Sequence, residues 1–350
     1  KKELLMGTAL VSTLGAASIA EAVTATMSGN HKVGLEFESP NSGTDVTNQL
    51  SDNNFTVSLS ETTDAGMTIS SSFMLMNETV GGTDGDAGFS LTFTDGSKLD
   101  VINAGNASGS HDISIPASAG AEGITTTTGV HAPSGMDFMT ASTIYGVEYH
   151  TASDFLADGL KMSFSASTDD QSANGAAYTV DGHFALGGTY VTSLGDSAVT
   201  VGFGYSETEG AKTGVQMTSD EGGFHFGVSA VTGDLTVAFG VADGDSIETA
   251  TGGTALGNQA DGEYVAAGAK YVSGDLTFNV GVASGSAKDS DTIGTAGTTE
   301  DSLDTVSASV SYAVASGVTA YIGYTDKDAE DEAAATTDGS AWYIGANMSF

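Results

Sequence analysis

The chain ends, from Ser340 to Phe350, with the sequence Ser-Ala-Trp-Tyr-Ile-Gly-Ala-Asn-Met-Ser-Phe. Counted back from Phe350, every second side chain is apolar, and the residues between them are mostly small or polar. Successive side chains of a strand lie on opposite faces, so this segment predicts one β-strand with an apolar face. Such a strand is an aggregation hazard unless another strand pairs with it. A closed β-barrel in lipid supplies that partner and places the apolar residues outside.

The same alternation recurs along the chain. Phe55, Val57 and Leu59, for example, alternate with Thr56 and Ser58. Sixteen segments follow this rule, an even number as in bacterial outer-membrane barrels. The predicted strands are 24–37, 53–63, 66–78, 86–94, 97–103, 142–150, 159–168, 178–192, 197–208, 221–232, 234–243, 262–273, 275–285, 302–314, 317–327 and 340–350.

The connections between these segments alternate in length. Short links include Asp95-Gly96, Gly233 and Gly274. Short turns at one rim and long loops at the other are typical of an outer-membrane barrel, whereas a β-sandwich gives no reason for them. We therefore predict an all-β fold, a 16-stranded antiparallel transmembrane β-barrel in one domain, 23–350. The longer links are 38–52, 79–85, 104–141, 169–177, 209–220, 244–261, 286–301 and 328–339.

The first residues predict export. Lys1 and Lys2 precede an apolar stretch, 4–20, and Ala20-Glu21-Ala22 is an A-x-A cleavage site. We expect a signal peptide at 1–22 and a final location in the outer membrane of a Gram-negative bacterium.

The composition excludes several classes of function. The net charge is −36, and all nine basic residues are lysines, so we expect no nucleic-acid partner. The chain has no cysteine, which excludes a disulfide framework and a thiolate site. No Ser-His-Asp order stands out, and we expect no enzymatic activity.

The longest link, 104–141, is rich in Gly, Ala, Ser and Thr. A sixteen-stranded barrel leaves an aqueous lumen, and a loop of this length needs a role. It is interpreted either as a constriction folded into the barrel or as a surface loop.

The whole chain resembles the trimeric general porins of alphaproteobacteria. The resemblance is carried by the predicted hairpin 57–73 (Val-Ser-Leu-Ser-Glu-Thr-Thr-Asp-Ala-Gly-Met-Thr-Ile-Ser-Ser-Ser-Phe), by Thr94-Asp-Gly-Ser-Lys98 and by Phe350. In that family the third outer loop folds into the pore, and its carboxylates face basic residues on the wall. The resemblance implies a homotrimer, an inward-folded constriction loop at about 104–141, and acidic constriction residues at Asp112, Glu122 and Asp137.

The basic side of the constriction departs from that family, because the chain contains no arginine. By strand phase, Lys32 beside Glu36, and also Lys161 and Lys270, are predicted to face the lumen. A charge on the lipid face would cost about 2–4 kcal/mol near the midplane. Three lysines on distant strands form no evident cluster, so we predict a mainly negative pore that prefers cations.

Acidic residues concentrate in the predicted long loops, which contain only two lysines, Lys212 and Lys288. These loops are either a solvated, salt-screened rim or oxygen sites for Ca²⁺ or Mg²⁺. The ligands of such sites would come from Asp289, Asp291, Asp328 and Glu330. We expect no other cofactor.

The histidines lack the spacing of metal ligands. His31, His183 and His225 fall on the polar phase of their strands, and His150 lies at a turn. We interpret them as residues of the lumen wall rather than as ligands.

These observations favour a water-filled channel for passive diffusion of ions and small hydrophilic solutes, surrounded by outer-membrane lipids and lipopolysaccharide. The alternative is a secreted, acidic, β-rich surface or adhesion protein that binds Ca²⁺. That alternative predicts internal repeats of fixed period, which the sequence lacks.

Overall fold

The strands pair in chain order around a closed barrel, and β16 returns to pair with β1. The computed structural model describes residues 23–40, 43–77, 88–101, 106–116, 146–172, 178–212, 217–250, 259–290, 299–330 and 338–350. All neighbouring pairs are antiparallel, which confirms the predicted fold class. The strands are β1 (Thr24–Pro40), β2 (Val46–Thr62), β3 (Thr68–Asn77), β4 (Phe89–Thr92), β5 (Lys98–Val101), β6 (Val147–His150), β7 (Leu160–Ser172), β8 (Tyr178–Leu194), β9 (Ser197–Lys212), β10 (Met217–Thr232), β11 (Leu235–Ala250), β12 (Gln259–Ser273), β13 (Leu276–Ser290), β14 (Thr299–Ala315), β15 (Val318–Glu330) and β16 (Gly339–Ser349).

The terminal strand closes the barrel. Phe37 of β1 pairs with Trp342 of β16, and the backbone N–H groups of Gly29 and Phe350 each donate to the other's carbonyl oxygen at 3.1 Å. Trp342 and Phe350 are exposed on the outside, whereas Tyr343, on the opposite face of β16, is only 1% exposed. The prediction that a closed barrel supplies a partner for the terminal strand is therefore confirmed.

The outer surface carries the large apolar side chains. On β10, for example, Phe224 and Phe226 are exposed, whereas His225 between them is buried inside the barrel. An exposed apolar band with a polar interior is the arrangement of a barrel surrounded by lipid. Among the described residues, no helix is both long enough and apolar enough to cross a membrane.

The hairpins at one rim are tight. Gly233 and Gly274 have φ angles of +57° and +61°, which glycine adopts without a steric penalty. Each precedes an aspartate in a two-residue turn, the connection that matches the twist of paired strands. This confirms the predicted short-turn rim.

Several links at the other rim are shorter than predicted. β1 extends to Pro40 and β2 begins at Val46, so most of the predicted loop 38–52 is strand. The predicted loop 209–220 was wrong in the same way, since β9 ends at Lys212 and β10 begins at Met217. At these strand ends the alternation of apolar and polar side chains disappears, because the outer face of the barrel no longer contacts lipid. The strands nevertheless remain hydrogen-bonded to each other.

Two other predictions concern the beginning of the chain. His31 shares the face of exposed Val33 and Leu35, so its predicted place on the lumen wall was wrong. Its ring bonds instead to the side chain of Asn53 on the neighbouring strand. The signal peptide predicted at 1–22 lies outside the described residues and stays a prediction.

Candidate pore constriction

Part of the predicted constriction loop lies against the inner wall of the barrel. At one end of the described segment 106–116, the Ala107 backbone N–H donates to Ser165 Oγ of β7 at 3.1 Å. At the other end, Pro116 contacts the wall at Gly268 of β12. The segment contains one turn of 3₁₀ helix, Gly109–His111. The prediction of an inward-folded loop is confirmed for this segment, and 117–141 lies outside the described residues.

The wall under this segment is lined by glycines, which we call the glycine track. A Cβ atom at Gly202 would collide with the His111 carbonyl oxygen and with Ile113. At Gly240, by contrast, a Cβ atom would lie 3.4 Å from Ile115 Cδ1, close to ordinary contact. The loop backbone therefore approaches the strand backbone more closely than most side chains allow. The glycine track comprises Gly187, Gly202, Gly204, Gly227, Gly240 and Gly268.

Hydrogen bonds attach the segment to strands that are remote in sequence. His111 Nδ1 lies 2.6 Å from Thr189 Oγ1, and its Nε2 lies 2.7 Å from Ser163 Oγ. The same serine hydroxyl lies 2.7 Å from His150 Nδ1. On the next part of the wall, His225 Nε2 donates to the Ser108 carbonyl oxygen at 2.9 Å. Buried polar groups of the loop are thus satisfied by the barrel wall.

His111 is held in its neutral form. Burial lowers the pKa of His111 to about 4, and the positive charge of Lys161 and the nearby rings of His150 and His225 act in the same direction. A neutral imidazole has one donor and one acceptor nitrogen, which matches two hydroxyl partners, Thr189 and Ser163.

Two polar side chains of the segment take different positions. The Ser110 hydroxyl donates to Glu148 Oε1 of β6 at 2.7 Å. Asp112, which the family resemblance implied as a constriction residue, is 65% exposed, and its Oδ1 lies 3.7 Å from His225 Nδ1. Asp112 therefore presents a carboxylate to the water-filled lumen. Glu122 and Asp137 lie outside the described residues.

The predicted lysines lie on lumen-facing positions. Lys161 of β7 is on the same face as Ser163, near His111. Lys270 of β12 follows Gly268 on the inner face and borders a cavity of about 390 Å³ with Asp275 and Asn279. Lys161 and Lys270 are on strands five positions apart around the barrel, and they do not meet in a cluster.

The wall facing the loop carries the other two predicted residues. β1 is eight strands from β9 in either direction and therefore lies across the lumen from it. Lys32 Nζ is 4.0 Å from Asp52 Oδ2, so this lysine has a carboxylate beside it. Glu36 is fully buried, and Asn48 Nδ2 donates to its Oε2 at 3.4 Å. The role of all these residues in constriction stays a prediction.

Tyrosines cover the inner wall on the side of β15 and β16. The rings of Tyr321 and Tyr343 are 6.1 Å apart, and each is buried. Tyr343 lies against Gly323, and Tyr321 lies against Gly345. Here the wall is filled by side chains of adjacent strands rather than by a loop.

The proposed Ca²⁺ or Mg²⁺ ligands lie mostly on strands. Asp289 is in β13, and Asp328 and Glu330 are in β15, two strands away. Asp291 lies outside the described residues. Their predicted location in loops was wrong because the strands extend beyond the residues that alternate in polarity. Ion binding by these residues stays a prediction.

Sequence reasoning missed the loop attachment. No sequence pattern marks His111, and the turn predicted at His150 is wrong, because His150 ends β6 and is buried. The loop attachment could have been predicted from the glycines that recur at lumen-facing positions of successive strands. Gly202 pairs with Gly227, and Gly227 pairs in turn with Gly240.

The sequence matches the family model described as Gram-negative porin over residues 7–331. The chain belongs to the Gram-negative porin family. Porins are non-enzymatic channels, so this protein forms a water-filled channel for passive diffusion across the outer membrane. This favours the channel over the secreted adhesion protein. The alphaproteobacterial branch stays a resemblance.

Solved porin structures share this fold. A porin refined at 1.8 Å resolution is 19% identical, with a TM-score of 0.62, and the match covers 93% of this chain and 100% of that chain. The anion-selective porin from Comamonas acidovorans is 11% identical, with a TM-score of 0.63, and the match covers 94% of this chain and 100% of that chain. A mutant of the Rhodobacter blastica porin is 16% identical, with a TM-score of 0.59, and the match covers 93% of this chain and 100% of that chain. No curated protein sequence matches the chain.

Proposed function

We propose that this porin prefers cations. The observation that supports this most directly is the exposed carboxylate of Asp112 inside the barrel. Across the lumen, Lys32 has Asp52 beside it, which offsets its positive charge. The chain has no arginine with which to build a stronger basic wall.

Charge in a narrow water-filled channel with low-dielectric walls acts more strongly than charge on an open surface. A cleft lined by one sign of charge concentrates counter-ions, and a net charge of −36 makes those counter-ions cations. Hydrated cations and small neutral hydrophilic solutes would cross down their gradients, and anions would cross more slowly.

A reversal-potential measurement in a planar bilayer tests this proposal. Under a KCl gradient we expect the sign of cation preference, reduced in Asp112→Asn. Asp304→Asn is the matched control, because Asp304 is an exposed aspartate on the outward face of β14, the face of exposed Val306. Anion preference of the wild type would contradict the proposal, as would equal effects of the two substitutions.

We also propose a homotrimer. One structurally similar protein, the outer membrane protein OmpT of Vibrio cholerae, was solved in a trimer form and has 13% sequence identity and a TM-score of 0.61. Conductance should then appear in steps of three upon insertion, and chemical cross-linking in detergent should give a trimer band. Single steps with no cross-linked product would indicate a monomer.

The remaining partners follow from the outer surface. Lipids would cover the exposed apolar band, and lipopolysaccharide would meet the polar outward positions above it, where the Tyr324 hydroxyl donates to Asp326 Oδ2 at 2.8 Å. Export through cleavage after Ala22 belongs to the same proposal and is tested by N-terminal sequencing of the protein from outer membranes.

A further inference from the structure

Three potential metal ligands converge on the inner wall between β5 and β6. Asp100 pairs across the strands with Glu148, and His150 follows on the same face. The ligand atoms of these three side chains all lie within 4.8 Å of one another. His150 Nε2 is 2.9 Å from Asp100 Oδ2 and 3.5 Å from Glu148 Oε1.

These separations suit a small divalent ion. Zinc binds imidazole nitrogen and carboxylate oxygen at about 2.0–2.2 Å, so neighbouring ligand atoms of a tetrahedral site are roughly 3.3–3.6 Å apart. The observed separations require only small side-chain shifts to match. An imidazole with two carboxylates is a donor set that suits zinc and its neighbours in the first transition row, whereas calcium prefers more oxygen ligands.

The groups around the cluster hold it in place. Ser163 Oγ lies 2.7 Å from His150 Nδ1, so the Nε2 atom of this ring is directed toward the carboxylates. The Ser90 hydroxyl bonds to Asp100 Oδ1, and Ser110 donates to Glu148. Outer partners of this kind fix the orientation of metal ligands. The side chains of Glu148 and His150 are only 3% and 9% exposed.

Lys98 lies on the solvent-exposed, lumen-facing side of the cluster. Its Nζ lies 2.7 Å from Asp100 Oδ2, the oxygen that His150 also contacts. The lysine side chain is 38% exposed, so it can swing into the lumen when another cation arrives. Lys98 thus supplies in the free protein the positive charge that an ion would supply, and its departure opens a path from the lumen.

We infer that Asp100, Glu148 and His150 form a binding site for a divalent transition metal of the zinc type. In the bound form the lone pair of His150 Nε2 would coordinate the ion, and the Nδ1–H of the neutral ring would donate to Ser163 Oγ. Lys98 leaves Asp100 and remains charged in water. Since Glu148 also accepts the hydrogen bond from Ser110, the ion lies beside the attachment of the constriction loop.

Zinc titration of the full-length porin in detergent tests the site. The titration is done by calorimetry in excess Mg²⁺, which occupies the acidic outer groups with a hard cation. We expect one tight site per chain. His150→Gln should weaken it at least about tenfold, since even outer-shell changes cost that much. His183→Gln is the matched control, because His183 is another buried histidine of the inner wall.

Lys98→Met keeps all three ligands and removes only the competing charge, so it tests the site without risk to the ligand set. Zinc should bind this variant several-fold more tightly. Co²⁺ in place of zinc should give the visible absorption of a four-coordinate site in the wild type and not in His150→Gln. The inference is overturned if the wild type shows no tight site in Mg²⁺, if His150→Gln and His183→Gln behave alike, or if Lys98→Met binds no more tightly than the wild type.

Discussion

Two regions of the inner wall use glycine for the same purpose and fill the space differently. On β15 and β16, Gly323 and Gly345 receive the rings of Tyr343 and Tyr321, which come from adjacent strands. On β8 to β12, the glycine track receives the loop segment 106–116, which is remote in sequence. The first region is packed by the wall itself. The second is packed only when the loop is in place, so the width of the pore depends on the second.

The largest expected effect concerns the tyrosine-covered wall. Tyr343→Ala removes a buried ring and leaves a cavity against Gly323, and truncation of buried aromatic residues costs about 3–5 kcal/mol. Denaturant unfolding in detergent should show that loss. Tyr312→Ala is the control, because Tyr312 is exposed on the outer face and should cost much less. Equal losses would mean that Tyr343 is not packed as described.

The glycine track gives the next largest effect. Gly202→Ala places a Cβ atom against the His111 carbonyl oxygen, and overpacking of this kind costs about 1–3 kcal/mol. The strain falls on the loop rather than on the barrel pairing, so single-channel conductance should rise while the barrel stays folded. Gly240→Ala is the matched control, since its Cβ atom meets Ile115 near ordinary contact distance. If both variants conduct alike, the loop does not depend on the track.

A smaller effect is expected at the hydroxyl between the two histidines. Ser163→Ala leaves ring nitrogens of His111 and His150 without this partner, at a cost of about 1–3 kcal/mol, which water in the lumen reduces. We expect a noisier open channel with modestly higher conductance. Ser307→Ala, which removes a buried hydroxyl paired with Thr325 away from the loop, should leave the channel noise unchanged. The reverse pattern would place the loop attachment elsewhere.

The effect that is smallest at neutral pH concerns His111 and appears only on acidification. His111 has its pKa lowered to about 4 in the docked loop, whereas a free histidine titrates near pH 6.5. Below about pH 6.5, His111 binds a proton in the undocked loop but stays neutral in the docked loop. The free energy of docking therefore becomes less favourable as pH falls from about 6.5 to about 4, and it changes no further below that pH. Conductance of the wild type should rise over that window relative to His111→Gln. Parallel pH profiles would contradict this account.

The same contrast explains what the sequence could predict. The barrel follows from local alternation, which is why the sixteen strands and the apolar outer face of the terminal strand were predicted correctly. The attachment of the loop depends on pairs such as Ala107 with Ser165 and Ser108 with His225, far apart in the chain, and no local pattern encodes them. The strand ends were missed because hydrogen bonding between strands continues beyond the lipid, where the apolar period stops. Asp112 could be placed by resemblance, and Lys161 and Lys270 could be placed on the lumen face by strand phase, but the contact of the loop with the wall between these two lysines could not.

The loop segment 106–116 lies inside the water-filled pore and narrows it. The chain has no cysteine, so a single introduced thiol can be modified selectively. A positively charged methanethiosulfonate reagent added to Asp112→Cys in a planar bilayer should lower the conductance in discrete steps, because residue 112 is exposed within the lumen. Asp304→Cys, on the outward face, should show no such steps. Modification of residue 112 without any change in conductance would contradict the account.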